Sequence, residues 1–232
     1  GEIAVANKKP SDFVSDAERA IHAALKEDFP AFGAHLEEAG VIDGEDSDHC
    51  WVVDPLDGTT NFLRGIAHFS ISIALTRRGR PVAGVVLNPV TGELFAAAEG
   101  RPATLNGQPV RVAAERPMAQ RLLGVGLPFG DKPGQAGMAD EIIAPMKATA
   151  GLRRFGSAAL DLAYVACGRF DAFWEHDLSP WDVAAGIVLV REAGGIVTRV
   201  DGAADDMPFR SILAAPAHSH ESVRRLINER TW

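Results

Sequence analysis

The 232 residues include 47% apolar and 23% charged side chains, enough to bury a substantial core as one large or two intimate domains, which excludes a disordered chain and a minimal disulfide scaffold. Acidic residues outnumber basic ones, 31 to 23, and the net charge of −8 repels polyphosphate backbones, so general nucleic-acid binding is disfavoured. Cys50 and Cys167, in the apolar contexts HCWVV and AYVACGRF, read as buried free thiols of a reducing compartment, with one disulfide as the alternative. With no signal-peptide pattern and no apolar run near the roughly 20 residues of a membrane span, a soluble, cytoplasmic protein without membrane partners is expected. The chain opens on Gly1 rather than Met, which points to an N-terminal piece outside this sequence.

Residues 14–29 place Val14, Ala17, Ile21, Ala24 and Leu25 on one helical stripe, with Ser15 as a candidate N-cap. Cys50 to Val53 is a short β-branched strand expected to stop at Asp54-Pro55, where proline removes a ladder donor. Three strands follow, Phe69–Thr76, Pro81–Leu87 and Glu93–Ala98, joined through RRGR and NPVTG as an antiparallel meander, and Asn106-Gly107 signals a further hairpin. The stretch from Ala114 to Pro117 reads as the joint between two halves, 1–114 and 115–232. The second half alternates: a strand near 122–127, helices near 138–150 and 157–167, and a strand at 172–175. A helix at 181–193 closed by Gly194-Gly195, strands at 196–200 and 211–215, and a last helix from about 220 to 230 complete it.

The segment DPLDGTTNF, residues 54–62, sets two carboxylates three residues apart at a strand end, followed by glycine and two threonines. Asp54 and Asp57 supply the hard anionic oxygens that Mg²⁺ prefers, and Gly58 lets successive amides turn toward one anion. The same residues would also serve simply to cap a helix starting near Thr59. A buried strand, Trp51-Val52-Val53, aimed at the two acids favours a cleft mouth over solvent. Further acids lie at Glu37-Glu38, which alone reads as a solvated pair, and in WEHDLSPWD. There Glu175 ends a strand and Asp182 opens a helix, a place a first-turn acid also occupies for the helix dipole.

Taken together, DPLDGTTNF and WDVAAGIVLVREAGG, residues 181–195, resemble the inositol monophosphatase family of Mg²⁺-dependent phosphatases, within the lithium-sensitive phosphatase superfamily. The similarity continues through GVVLNP at 84–89, LNGQPV at 105–110 and RRFGSAALDLAYVACGRFDAFWE at 153–175. The resemblance implies an α+β fold, a layered αβαβα sandwich with an antiparallel sheet in the first half, a more mixed sheet in the second and the metal cleft between them. It further implies a homodimer and two to three Mg²⁺ ions.

By the same resemblance, Asp54, Asp57, the Leu56 carbonyl, Asp182 and Glu37 hold metal, with Glu37 and Asp54 on the water-activating ion. Thr59 and Glu18 position the nucleophilic water. Asp57, Gly58, Thr59, Thr60, Gly156, Ser157, Ala158 and Glu175 face the substrate. GSAA at 156–159 is equally a helix start with small residues for close packing. The chain departs from the family pattern at Leu36, where glycine is usual, and at Glu18, where aspartate is usual beside Thr59; Asp16 is the alternative partner if the register is shifted. Lys8 or Lys9 falls where relatives have a mobile loop over the site, though lysines near a chain end are ordinarily solvated.

His218-x-His220 lacks a third ligand nearby, and His176 reads as a rim residue. There is no G-x-S-x-G elbow, Walker lysine loop or dinucleotide fingerprint. The expected activity is hydrolysis of a small polyol or sugar phosphate, in the manner of an inositol-1-monophosphatase, by metal-activated water. Fructose 1,6-bisphosphate, histidinol phosphate and phosphoadenosine phosphate are the alternative substrates within the family, and a regulatory binding protein on the same fold is the alternative outside catalysis.

Overall fold

A computed structural model describes residues 10–127, 138–207 and 210–229. The N-terminal lysines 8 and 9 lie outside them. In chain order the first half contains α1 (Pro10–Asp28), β1 (Phe32–Leu36), β2 (Gly40–Ile42), β3 (Asp46–Asp57), α2 (Thr59–Leu63), β4 (Ser70–Arg77), β5 (Arg80–Asn88), β6 (Glu93–Ala98), β7 (Arg101–Leu105) and β8 (Gln108–Pro109). The second half contains β9 (Leu122–Val125), α3 (Met138–Ala148), β10 (Gly151–Arg153), α4 (Ala158–Ala166), β11 (Ala172–His176), α5 (Pro180–Glu192), β12 (Gly195–Thr198), β13 (Ser211–Pro216) and α6 (His220–Ile227).

The first sheet has the order β2-β1-β3-β4-β5-β6-β7-β8, antiparallel except where β1 runs parallel to β3. Its meander turns as the sequence predicts: Arg78-Gly79 and Asn106-Gly107 all have positive φ, the two-residue geometry that matches the twist of a hairpin. The second sheet, β10-β9-β11-β13-β12, mixes parallel and antiparallel pairs. Ile21 and Leu25 of α1 pack on Leu36, Val53 and Trp51 at the outer face of the first sheet. Helices α4 and α5 lie between the sheets, and Val223 and Ile227 of α6 pack with Trp174 and Leu213 on the outer face of the second. The result is the expected αβαβα sandwich.

The central helix α5 is buried from Val183 to Val190 because it touches a sheet on both sides, which explains an apolar run without a polar face. No helix among the described residues is long and apolar enough to cross a membrane.

Three expectations need correction. Helix α1 begins at Pro10, a residue well suited to a helix's first turn, so Ser15 lies inside it and is no N-cap. β3 does not stop at Asp54-Pro55 but continues to Asp57 through a bulge. Cys50 and Cys167 are free, as expected, but only half-buried.

Candidate active site

The bulge places the two aspartates of DPLDGTTNF together. Side chains alternate along a strand, so residues 54 and 57 would face opposite sides of a regular sheet. Here Asp54 pairs with Ser72 and Asp57 with Ser70, so three steps along β3 match two along β4. The extra residue restores parity and turns both acids toward the starts of α4 and α5.

Each acid is then fixed by local bonds. Asp54 is buried, and its Oδ1 accepts the Leu56 amide at 2.8 Å. Asp57 Oδ2 accepts the Ser157 hydroxyl at 2.6 Å, the Ala159 amide at 2.9 Å and the Ser70 hydroxyl at 3.5 Å. Asp57 therefore does cap a helix, but α4 from across the cleft rather than α2 beside it. Asp182 sits in the first turn of α5, where its Oδ2 accepts the Ser179 amide at 2.7 Å while the residue lines the cleft. The helix-start and cleft readings of Asp182 hold together.

Asp54, Asp57 and Asp182 each offer a carboxylate oxygen within 4.8 Å of the others, and among the described residues they are the only such group of three metal-ligating side chains. His218 and His220 form none; His220 Nε2 lies 3.1 Å from the Thr198 hydroxyl instead. Glu37 joins the cluster from the end of β1: its carboxylate lies beside that of Asp54, and its buried Oε2 has no partner. Burial, and then the charges of Asp57, Glu37 and Asp182, pushes Asp54 well above the usual carboxylate range. Burial, with repulsion from Asp182, raises Asp57 to about 7. Burial also raises Glu37.

Among the described residues, the surrounding cleft, about 480 Å³, is lined by five carboxylates, Glu37, Asp54, Asp57, Glu175 and Asp182, against one cationic side chain, Arg154. Buried acids that raise one another's pKa and leave an oxygen orphaned are the donor set a hard divalent cation satisfies, so these residues fit Mg²⁺.

Leu56, Gly58, Thr59, Thr60, Gly156, Ala158 and Glu175 also line the cleft. Gly58 has φ 91°, and a Cβ there would crowd the His68 and Gly156 carbonyls, so only glycine makes this corner. Glu175, next to last in β11, lies against Gly126, whose missing side chain leaves room for the Glu175 carboxylate. Ser157 is fully buried behind Asp57 rather than open to the cleft.

Two predicted partners are not brought together. The Thr59 hydroxyl donates to the Leu56 carbonyl at 3.0 Å, while the buried Glu18 carboxylate accepts the Glu38 and Ala39 amides at 2.8 and 3.0 Å. Glu18 and Thr59 share no hydrogen bond.

Sequence reasoning also passed over Asn61, although it stands inside the quoted motif. Its Nδ2 bonds the His68 and Phe155 carbonyls at 2.8 and 2.7 Å and ties the corner after β3 to the segment before α4. Ser70, Gly126 and Arg154 were missed because nothing local marks them.

A layered α+β sandwich whose cleft gathers buried acids from distant parts of the chain is the architecture of a metal-dependent phosphomonoesterase. The model of the inositol monophosphatase family matches residues 2–231, and the chain belongs to that family of phosphoric monoester hydrolases. It is 47% identical over 214 residues to an inositol-1-monophosphatase of Mesorhizobium japonicum, covering 90% of this chain and 80% of that one. It is 46% identical to the Nus factor SuhB of Pseudomonas aeruginosa, covering 91% and 81%. Among solved structures, the extragenic suppressor protein suhB of Bartonella henselae superposes with a TM-score of 0.89 at 45% identity, covering 93% and 83%.

Proposed function

We propose that the protein releases phosphate from a small polyol or sugar phosphate, with inositol 1-phosphate the first candidate, using two to three Mg²⁺ ions held by Glu37, Asp54, Asp57, Asp182 and the Leu56 carbonyl. The carrying observation is the β3 bulge that turns two buried aspartates toward Asp182. Bound Mg²⁺ would supply an acidified water and neutralise the leaving alkoxide. The chain's own residues orient the rest. Ser157 and the Ala159 amide fix the Asp57 carboxylate, and the Thr59 hydroxyl at the Leu56 carbonyl is placed to hold the attacking water. Gly58, Thr59 and Thr60 form the wall that meets the phosphate, while Gly156, Ala158 and Glu175 meet the alcohol, Glu175 as an acceptor for its hydroxyls.

Among the described residues no aromatic ring lines the cleft, which supports a polyol over a nucleotide base. The acids come from 1–114 and from 115–232, which supports two subdomains closing on one cleft. Exposed Phe62, Leu63 and Ile66 beside the cleft support a homodimer. The test is phosphate release with Mg²⁺ from inositol 1-phosphate, fructose 1,6-bisphosphate, histidinol phosphate and phosphoadenosine phosphate. Turnover highest on the inositol ester is expected, and no release from any of them overturns the reading. A regulatory role rests on the relatives named Nus factor, and it is favoured if metal binds but no ester is cleaved.

A further inference from the structure

Glu18 stands where the family pattern places an aspartate beside Thr59, yet its carboxylate is engaged elsewhere. Glu18 is 3% exposed and reaches from α1 to the turn between β1 and β2, where Oε2 accepts the Glu38 amide at 2.8 Å and Oε1 the Ala39 amide at 3.0 Å. These are the two residues directly after Glu37, and both have exposed side chains, so the turn is anchored by its backbone. Glu37 itself is tied on its other side by its amide to the Val53 carbonyl at 3.3 Å. The acid that faces the cluster with an unpartnered buried oxygen is therefore held between a strand bond and a bidentate carboxylate grip.

We infer that Glu18 is a positioning residue for Glu37: it fixes the β1–β2 turn so that the Glu37 carboxylate points into the Asp54–Asp57–Asp182 cluster, and it does not act through Thr59. The extra methylene relative to aspartate extends the reach of the carboxylate from α1 toward the two amides of the turn. Bonds from amides to a charged acceptor are roughly twice as strong as neutral ones, so the grip withstands repulsion among the acids it helps to assemble. The inference rests on the reading of this cleft as the metal site.

The variants Glu18→Asp and Glu18→Gln separate the roles, with Mg²⁺ binding measured by calorimetry on the unliganded protein and turnover measured in parallel. If Glu18 serves Thr59, the aspartate variant restores the family pairing, keeps Mg²⁺ affinity and maintains or raises turnover. If Glu18 positions Glu37, aspartate, one methylene shorter, does not reach both amides from α1. Mg²⁺ affinity then falls about 10- to 100-fold, the range for residues that orient metal ligands. Backbone amide exchange at Glu38 and Ala39 accelerates, while the rest of the protein keeps its protection. Glu18→Gln keeps the length and one acceptor, so it loses less affinity than the aspartate variant, and it carries the test if the aspartate variant does not fold. Wild-type affinity in a folded aspartate variant overturns the inference, as does wild-type affinity in the glutamine variant if the aspartate variant fails to fold. Absence of Mg²⁺ binding by the unmodified protein would instead remove the metal-site reading beneath it.

Discussion

Replacing Ser157 with alanine tests how the site sets the charge of Asp57. The Ser157 hydroxyl lies 2.6 Å from Asp57 Oδ2 inside a fully buried pocket, and it favours the ionised carboxylate. A hydrogen bond to a charged acceptor is worth about 1.5–3 kcal/mol, and at 1.36 kcal/mol per pH unit its loss moves the carboxyl by about one to two units. Asp57, already near 7 through burial and the charge of Asp182, should therefore titrate about one to two units higher in Ser157→Ala. A carboxyl that holds its proton longer makes the metal compete for it, so apparent Mg²⁺ affinity at neutral pH should fall about tenfold, and the deficit should shrink as pH rises. Calorimetric titration with Mg²⁺ from neutral to alkaline pH reads both. Unchanged affinity, or a loss of the same size at every pH, would refute the claim that Ser157 acts through the ionisation of Asp57.

Asp57→Asn should lower phosphate release by more than about 100-fold, beyond the usual effect of a residue that merely supports a ligand. It should also raise the metal-free melting temperature at alkaline pH, since a buried repelling charge is gone; a lower one would contradict the electrostatic account. Gly126→Ala puts a methyl group into the space of the Glu175 carboxylate. It should lower kcat/KM at least about tenfold through misplacement of the alcohol, with Mg²⁺ affinity unchanged by calorimetry.

The metal-free protein should lose stability as pH rises from about 4 to about 7. Asp57, Asp54 and Glu37 have raised pKa values when folded, so the native state binds more protons than the unfolded state across that window. His68 and His220, depressed by burial, give the opposite slope as pH falls through the usual histidine range. The difference between denaturation with saturating Mg²⁺ and without it therefore isolates the acids. A difference that does not grow with pH would contradict their assignment.

Much of the fold was legible where the pattern was local. The positive-φ turns at Arg78-Gly79 and Asn106-Gly107 follow from their residue types, and the apolar run of α5 follows from burial on two sides. β1 and β2 were not anticipated: AFGAHLEEAGVI carries no clear alternation, and β1 is stabilised by a parallel partner 14 to 17 residues away. The acids of the site were legible as types at particular positions, since DPLDGTTNF names hard ligands. That Asp54 and Asp57 share a face was not, because it depends on a one-residue bulge set by pairing with β4. Ser157 was placed on the substrate for the same reason: which way a helix-start hydroxyl points is decided by the buried carboxylate opposite it. The family resemblance pairs Glu18 with Thr59, whereas its carboxylate accepts two amides of the β1–β2 turn instead.

The central claim is that four acids from three separate parts of the chain are tolerable together because they share divalent cation. Its most direct test is Mg²⁺ binding to the unliganded protein near pH 6, measured by calorimetry in buffers of different ionisation enthalpy. The account predicts saturable binding with net proton release, because acids raised by burial and mutual repulsion must ionise to take up metal. Saturable binding without proton release, or no binding at all, would contradict it.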